Sequence, residues 1–290
     1  MQSKIVKIKT PKKFLLNGIL FGDPKAENIT VFVHGLGSDL FSQMELVEKM
    51  IDKKNSVLVF NNRGSGVVSR IRQISAKERK GYKSHAIGMA HEVFTDCVDD
   101  IEGAVKCAQE FGAKNILLMG HSTGCQKSVY YLSKKQKVAI KGAILLAPMS
   151  DFADMFAFTD RKMYNKAVSF ARKMVENGKG HDLMPERIWP QTIDAQRFIS
   201  LFTPDSVEEI FSYASNREPK LLKKNKQPVL VVLAENDEYK DREISLIADW
   251  FSDNMKKNNA EINTIKEAPH NFQDHSDELA RAVKNWFKKL

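Results

Sequence analysis

The segment from Gly120 to Gly124 carries the clearest chemical signal in the chain. A single serine, Ser122, stands between two glycines in the pattern Gly-x-Ser-x-Gly, after an apolar run at 115–119 and before a helical pattern at 125–134. A sharp strand-to-helix turn of this kind projects a serine hydroxyl above the sheet edge, and the glycines let the two elements pass closely. The pattern therefore predicts that Ser122 is a nucleophile.

A serine hydroxyl is a weak nucleophile, so this chemistry also needs a histidine base and an acid that orients the histidine. In folds that use such a turn, the acid and then the histidine follow the serine along the chain. Asp237 lies just beyond the apolar run at 229–233, and His270 follows the next apolar run at 262–265. We therefore expect Asp237 to be the acid and His270 the base, with Glu235 as the alternative acid.

Stabilising the oxyanion of an acyl-transfer intermediate needs two backbone N–H groups. Thr123, directly after the serine, is expected to supply one of them, and a loop after an early strand is expected to supply the other. The glycine-rich loop at 34–38 follows such a strand-like run. Its glycines let the backbone turn an amide inward, so we expect Leu36 to be the second donor, with Gly37 as the alternative.

Several polar residues near these positions are expected to be structural. His34 and His121 flank the expected site but precede Asp237 in the chain, so we expect them to be hydrogen-bonded core histidines. The turn at Asn62-Arg63 follows another apolar run. We expect this turn to pin neighbouring loops and to have no catalytic role.

Apolar, strand-like runs alternate with helical patterns along most of the chain. This alternation predicts an α/β fold with a mostly parallel sheet and helices on both faces. We count eight strands, and the first two, at 5–8 and 14–21, are expected to pair as an antiparallel hairpin. A long polar and basic connection at 64–90 interrupts the alternation, and loops of this length are usually functional or mobile.

A second interruption, at 151–226, is rich in Met and aromatic residues and is far longer than a crossover connection needs. We interpret it as a helical cap inserted between the core segments 1–150 and 227–290. Ligands bind outside the carboxyl ends of the strands in open α/β sheets, so the cap is expected to overhang the nucleophile. Met155 and Phe156 lie near its start, and we expect them to line an apolar substrate pocket.

Together these motifs resemble the α/β-hydrolase superfamily over nearly the whole chain. The resemblance rests on the His34-Gly35 loop, the Asn62-Arg63-Gly64 turn, the Ser122 elbow, Asp237 and His270. A narrower similarity, in the segments 120–126, 194–201 and 211–212, resembles a largely uncharacterised, mainly fungal hydrolase family that includes siderophore esterases. The resemblance implies an α/β-hydrolase fold, an eight-stranded sheet with a helical cap and a Ser-His-Asp triad, and it implies no metal or organic cofactor.

Composition narrows the class of protein. The chain has 290 residues, no run of 18 apolar residues and no apolar signal-peptide core near its start, so we expect a cytoplasmic protein without a membrane partner. Its three cysteines do not have the spacing of a metal site or a disulfide framework. The net charge of +9 comes from scattered lysines without interleaved aromatics, so we expect no nucleic-acid partner. A mild preference for anionic substrates and the oligomeric state both stay open.

The expected function is hydrolysis of a small-molecule carboxylic ester through an acyl-enzyme. Amide or peptide hydrolysis, or acyl transfer to an acceptor other than water, is the alternative within enzymes. From another class, a ligand receptor that retains the triad is possible, as is a binding protein gated by its cap. The residues do not identify the acyl group or the alcohol.

Overall fold

An eight-stranded sheet forms the centre of the computed structural model, which describes residues 2–135, 139–256 and 259–290. The strands, in chain order, are β1 (Ser3–Lys9), β2 (Leu15–Phe21), β3 (Asn28–Val33), β4 (Asn55–Phe60), β5 (Ser69–Ile74), β6 (Tyr82–Ile87), β7 (Asn115–His121), β8 (Ile140–Leu146), β9 (Val229–Ala234) and β10 (Ala260–Ile265). The large sheet has the order β1-β2-β4-β3-β7-β8-β9-β10. In it β1 pairs with β2 and β2 with β4 in antiparallel fashion, and the other neighbours are parallel. The predicted hairpin and mostly parallel sheet are confirmed.

Helices cover both faces of this sheet. Their bounds are α1 (Met44–Met50), α2 (Cys97–Glu110), α3 (Thr123–Lys134), α4 (Asp151–Phe158), α5 (Arg161–Glu176), α6 (Ala195–Phe202), α7 (Lys220–Lys224), α8 (Ile244–Asn254) and α9 (Ser276–Phe287). Helices α2, α3 and α8 pack on one face, and α1 and α9 pack on the other. Strands covered on both faces bury every side chain, which explains why all of β9 is apolar. In the described part of the chain, no helix has the length and apolar content to cross a membrane.

The connection at 64–90 contains structure that the sequence does not predict. Strands β5 and β6 pair as an antiparallel hairpin outside the main sheet. Of the six β5 side chains only Ile71 is buried, and it belongs to the same hydrophobic cluster as Phe14. A strand with one buried side chain lacks the apolar alternation by which strands are recognised, so the sequence pattern reads as a loop.

Between β8 and β9 the chain forms the four helices α4 to α7, as expected of a helical insertion. The insertion has its own small core around Trp189, Phe198 and Phe202, whose rings pack edge to face or tilted. Leu36, in the loop after β3, packs against this core. The insertion therefore lies over the carboxyl edge of the sheet, beside the loop that follows β3.

A buried group of charges joins this insertion to the sheet domain. Arg197 of α6 is fully buried, and it forms ion pairs with Glu92 of the sheet domain, at 2.9 Å, and with Glu208 of the insertion. Lys127 of α3, also fully buried, contacts Glu92 at 2.6 Å. Burial by itself would raise the pKa of Glu92, but the Lys127 and Arg197 cations hold it below its ordinary value. Two buried cations thus compensate the charges of two buried carboxylates.

Removing Arg197 is expected to destabilise the protein strongly. The Arg197→Met variant leaves Glu92 and Glu208 buried without this cation, so we expect the free energy of unfolding to fall by about 3–5 kcal/mol. Arg172→Met is the matched control, because Arg172 pairs with Asp205 at 2.9 Å on the surface of the same insertion. An exposed pair of this kind contributes about 0–1 kcal/mol. Urea unfolding followed by tryptophan fluorescence measures both, and equal losses would contradict this account.

Candidate active site

Ser122 occupies a sharp turn between β7 and α3. Its backbone has φ 54° and ψ −129°, a conformation that a residue with a side chain rarely adopts. The turn is possible because glycines surround it: a Cβ atom on Gly124 would lie 2.1 Å from the Val33 carbonyl oxygen, and one on Gly120 would lie 2.4 Å from the Gly124 carbonyl oxygen. The Ser122 N–H donates to the Leu146 carbonyl at 3.0 Å, which ties the turn to β8. This geometry is the one that a nucleophile elbow requires.

The structure brings Asp237 and His270 together at the same edge of the sheet. Asp237 follows β9, His270 follows β10, and their Oδ2 and Nδ1 atoms are 2.7 Å apart, with both residues buried. The Tyr239 N–H donates to Asp237 Oδ1 at 2.9 Å, and the His270 N–H donates to Glu238 at 2.9 Å. A carboxylate at Nδ1 keeps the proton on that nitrogen and leaves Nε2 free to accept one.

Glu235, the alternative acid, faces a different part of the molecule. Its carboxylate accepts a hydrogen bond from the Glu267 N–H at 2.9 Å, in the loop after β10. No hydrogen bond joins Glu235 to His270 among the described residues. Of the two carboxylates, the geometry therefore favours Asp237 as the partner of the histidine.

Ser122 and His270 line one cavity of about 700 Å³ at the carboxyl edge of the sheet. Leu36 lines the same cavity, and a Cβ atom on the neighbouring Gly35 would lie 2.9 Å from the Ser122 Cβ atom. Thr123 is the first residue of α3, where backbone N–H groups have no partner within the helix. Both expected oxyanion donors thus belong to segments that adjoin the serine. The alternative donor, Gly37, has φ +61° and lies against Met89.

His34 and His121 are hydrogen-bonded core residues, as expected. The Asn62 N–H donates to His34 Nε2 at 3.2 Å, and His121 Nε2 lies 2.9 Å from the His270 carbonyl oxygen, to which it donates. Burial lowers the pKa of each imidazole to about 4, so both are neutral near pH 7. His121 therefore orients the backbone of His270 without adding a charge beside it.

The Asn62-Arg63 turn also has the structural position expected of it. The Arg63 guanidinium forms buried ion pairs with Asp99 at 3.0 Å and with Asp100 at 2.8 Å, both on α2. The Asn62 side-chain oxygen accepts from Lys127 at 3.2 Å. The turn therefore connects the loop after β4 to α2 and α3.

One of the two expected pocket residues lies elsewhere, and α4 contributes two acidic residues to the cavity that the sequence analysis does not predict. Met155 lines the cavity together with Asp151 and Asp154, whereas Phe156 is not part of the lining. Phe156 is 38% exposed and stacks on Phe152 at 5.2 Å. The reason is helical phase: positions i, i+3 and i+4 of α4 share the face toward the cavity, and the next residue points about 100° away. Closeness to the sheet along the chain favours Phe156, but the helical period places Asp151, Asp154 and Met155 on the cavity wall.

Within the described ranges no group of three or more His, Cys, Asp or Glu side chains could hold a metal ion. The three cysteines are buried and unpaired with one another.

Comparison with known sequences finds a family match over most of the chain. The model of a family described as "Protein of unknown function (DUF1749)" matches residues 24–289. The UPF0613 protein PB24D3.06c of Schizosaccharomyces pombe is 33% identical over 79 residues, which are 26% of this chain and 25% of that protein. The match therefore spans about a quarter of that curated relative.

Solved structures share the fold over nearly the full length. An esterase of Pyrococcus furiosus, Pf2001, has a TM-score of 0.62 and 19% identity, and covers 99% of this chain and 91% of its own. Est1E of Butyrivibrio proteoclasticus, solved with ferulic acid bound, has a TM-score of 0.59 and 17% identity, with 98% of each chain covered. These similarities show that the chain has the α/β-hydrolase fold.

Adding a methyl group at Gly124 is expected to damage the elbow. In Gly124→Ala the new Cβ atom meets the backbone of β3, which cannot yield as a side chain would, so we expect a loss of at least about 1–3 kcal/mol in the free energy of unfolding. Gly180→Ala is the control, because its new Cβ atom would have no neighbour closer than 3.4 Å. Thermal and urea unfolding of the two variants measure the difference. A Gly124→Ala protein as stable as the control would show that the close approach is unimportant.

Proposed function

The chain belongs to the DUF1749 family, and on the geometry of its site we propose that it is a serine hydrolase that cleaves carboxylic esters. The observation that carries this proposal is the 2.7 Å hydrogen bond between His270 and Asp237 on the cavity that also contains the Ser122 elbow. An oriented histidine beside a serine on a strained turn is the arrangement that makes a hydroxyl nucleophilic. The esterase activity in the name of the structurally similar Pyrococcus protein adds support.

The proposed reaction has two steps. His270 Nε2 takes the Ser122 proton while the Ser122 oxygen attacks the ester carbonyl. The Leu36 and Thr123 N–H groups stabilise the tetrahedral oxyanion, and His270 then protonates the departing alcohol. Water, deprotonated by His270, then attacks the acyl-enzyme, and His270 returns the proton to the Ser122 oxygen as the bond to the acyl group breaks and the acid leaves. Throughout, Asp237 holds the imidazole in the useful tautomer and stabilises its charged form.

We further propose that the helical insertion selects the substrate. It contributes Met155, Gln191 and Phe202 to the wall of the cavity, which the loop that follows β3 also lines. Met is flexible and polarizable, so the wall can adapt to acyl groups of different shape. The sheet domain would then supply the chemistry and the insertion the selectivity.

Covalent labelling tests the role of Ser122. A fluorophosphonate probe is expected to add once, at Ser122, and Ser122→Ala should abolish both the labelling and the hydrolysis of p-nitrophenyl esters. Mass spectrometry locates the adduct. Ser200→Ala, a serine of the insertion, is the control and should label normally. Labelling that persists in Ser122→Ala, or labelling without repeated turnover of any ester, would contradict ester hydrolysis, and the latter would favour a receptor.

A pair of isosteric substitutions tests the acid. Asp237→Asn should lower kcat by about 10⁴, because an amide at this position stabilises the wrong histidine tautomer. Glu235→Gln is the matched control and should change kcat less than about tenfold, since its carboxylate binds the backbone at Glu267. Steady-state kinetics on one p-nitrophenyl ester measure both variants. The reverse order of effects would assign the acid to Glu235.

A further inference from the structure

The charge inside the cavity is opposite in sign to the charge of the whole protein. The chain has a net charge of +9, but no lysine or arginine is among the described residues that line the cavity. Three carboxylic acids do line it: Asp151, Asp154 and, on an exposed part of α1, Glu45. The lysine excess left a preference for anionic substrates open, but the cavity itself has no fixed cation to receive one.

Asp154 is the carboxylate on the inner wall for which the described side chains provide no partner, whereas Glu45 is exposed to solvent. It lies on the cavity face of α4, half-buried, and no described side chain forms an ion pair or hydrogen bond with its carboxylate. The groups that act on it electrostatically are Asp237, Asp241 and His270. Burial and, next, the charge of Asp237 raise its pKa to about 6, so it is mainly ionised at pH 7.

Asp151 is held differently. Its carboxylate accepts a hydrogen bond from the Gln126 side chain at 2.7 Å, and burial raises its pKa well above the ordinary value. Glu209, behind it, accepts a hydrogen bond from Ser150 Oγ at 2.8 Å, and burial raises its pKa to about 8. Burial thus disfavours the charged form of Asp151, and the carboxylate of Asp154 is the acidic group on the inner wall with which no described side chain pairs.

The remaining wall suits an organic cation. Phe202, Tyr239 and Phe272 line the cavity together with the methionines Met89 and Met155. The faces of aromatic rings attract ammonium groups, most strongly where water is excluded. An unpaired carboxylate among aromatic rings and thioethers is complementary to an alkylammonium group and repels a carboxylate.

We propose that the ester substrate carries an ammonium or alkylammonium group and that Asp154 binds this group. The inference rests on the proposed function, because it concerns selectivity at the same cavity. Asp154 lies near His270 and Asp237, so the cationic group would be held a short distance from the scissile bond. A substrate with an anionic group would meet an uncompensated negative charge there.

The direct test compares esters that have the same shape and different charge. One is an acyl choline, and the other is its uncharged isostere, in which a tert-butyl group replaces the trimethylammonium group. The same exchange on the acyl side of a p-nitrophenyl ester gives a second pair. We expect kcat/KM to favour the cationic member of at least one pair by about tenfold or more at pH 7.5 and low salt.

Asp154→Asn tests the residue. It keeps the shape and removes the charge, so the ratio of kcat/KM for cationic over neutral ester should fall about tenfold, mainly through KM for the cationic ester. Glu48→Gln is the matched control: it removes one carboxylate from an exposed position of α1 outside the cavity lining, and the ratio should not change. If Asp154→Asn lowers kcat/KM equally for both esters, Asp154 acts through His270 and the proposal is wrong.

The pH dependence of the same ratio gives an independent readout. Both esters need the same catalytic groups, so the effect of pH on the chemical step is common to both and cancels in the ratio. The carboxylate form of Asp154 binds the cation, and its pKa is about 6. The ratio of kcat/KM for the cationic over the neutral ester should therefore be low below pH 6 and should rise as pH increases through this value. In Asp154→Asn the ratio should be flat over this range. A flat ratio in the wild-type protein would overturn the proposal.

Failure of this proposal and failure of ester hydrolysis give different results. Equal or faster hydrolysis of the neutral isostere overturns the charge preference and leaves Ser122-dependent hydrolysis intact. If no ester is hydrolysed, binding of choline and its tert-butyl isostere to the wild-type protein, followed by ligand-observed NMR, still tests the cavity. Stronger binding of choline, lost in Asp154→Asn, supports the cation site, and equal binding of the two alcohols contradicts it.

Discussion

The site depends on the close approach of three elements at one point, where α3, β3 and β7 meet with no room for a side chain. Gly124 packs against the Val33 carbonyl, and Gly120 packs against the Gly124 carbonyl. A side chain at either glycine would collide with backbone atoms, so the helix and the strands can approach this closely only because both residues are glycines. This approach forces Ser122 into its positive-φ turn and sets it beside the loop after β3. Asp237 and His270 then arrive from β9 and β10, since parallel strands end at the same edge.

Much of this arrangement could be predicted from the chain alone, because each part of it follows an apolar run that identifies a strand. Asp237 and His270 come directly after such runs, so their positions follow from topology, and the structure places them in contact. Choosing between Asp237 and Glu235 required the side-chain directions in one loop, which neither composition nor spacing contains. The β5–β6 hairpin could not be predicted from the sequence, because Ile71 is the only buried residue of β5 and the strand therefore lacks an alternating apolar pattern.

The cavity wall shows a second limit of sequence reasoning. Ser150 followed by Asp151 is a recognisable helix start, and counting helical positions from it favours Asp154 over Phe156 on the cavity wall. Ser150 caps α4 by accepting a hydrogen bond from the Ala153 N–H, which fixes the residue at which the helix begins. From that start, Asp151, Asp154 and Met155 lie on the face of α4 that lines the cavity. Net charge says little about the cavity, because the lysines and arginines that produce it are absent from the described cavity lining.

The buried contact between Arg197 and Glu92 has a consequence for how molecules reach the serine. Swinging the insertion away from the sheet would expose two charges to separate solvation and break a network that includes Lys127. Because these ion pairs oppose a hinge motion, we expect the insertion to behave as a fixed wall of the cavity. A fixed wall would give this cavity, which Gln43 and Asn271 also line, a constant width, so we expect it to discriminate between molecules by their bulk.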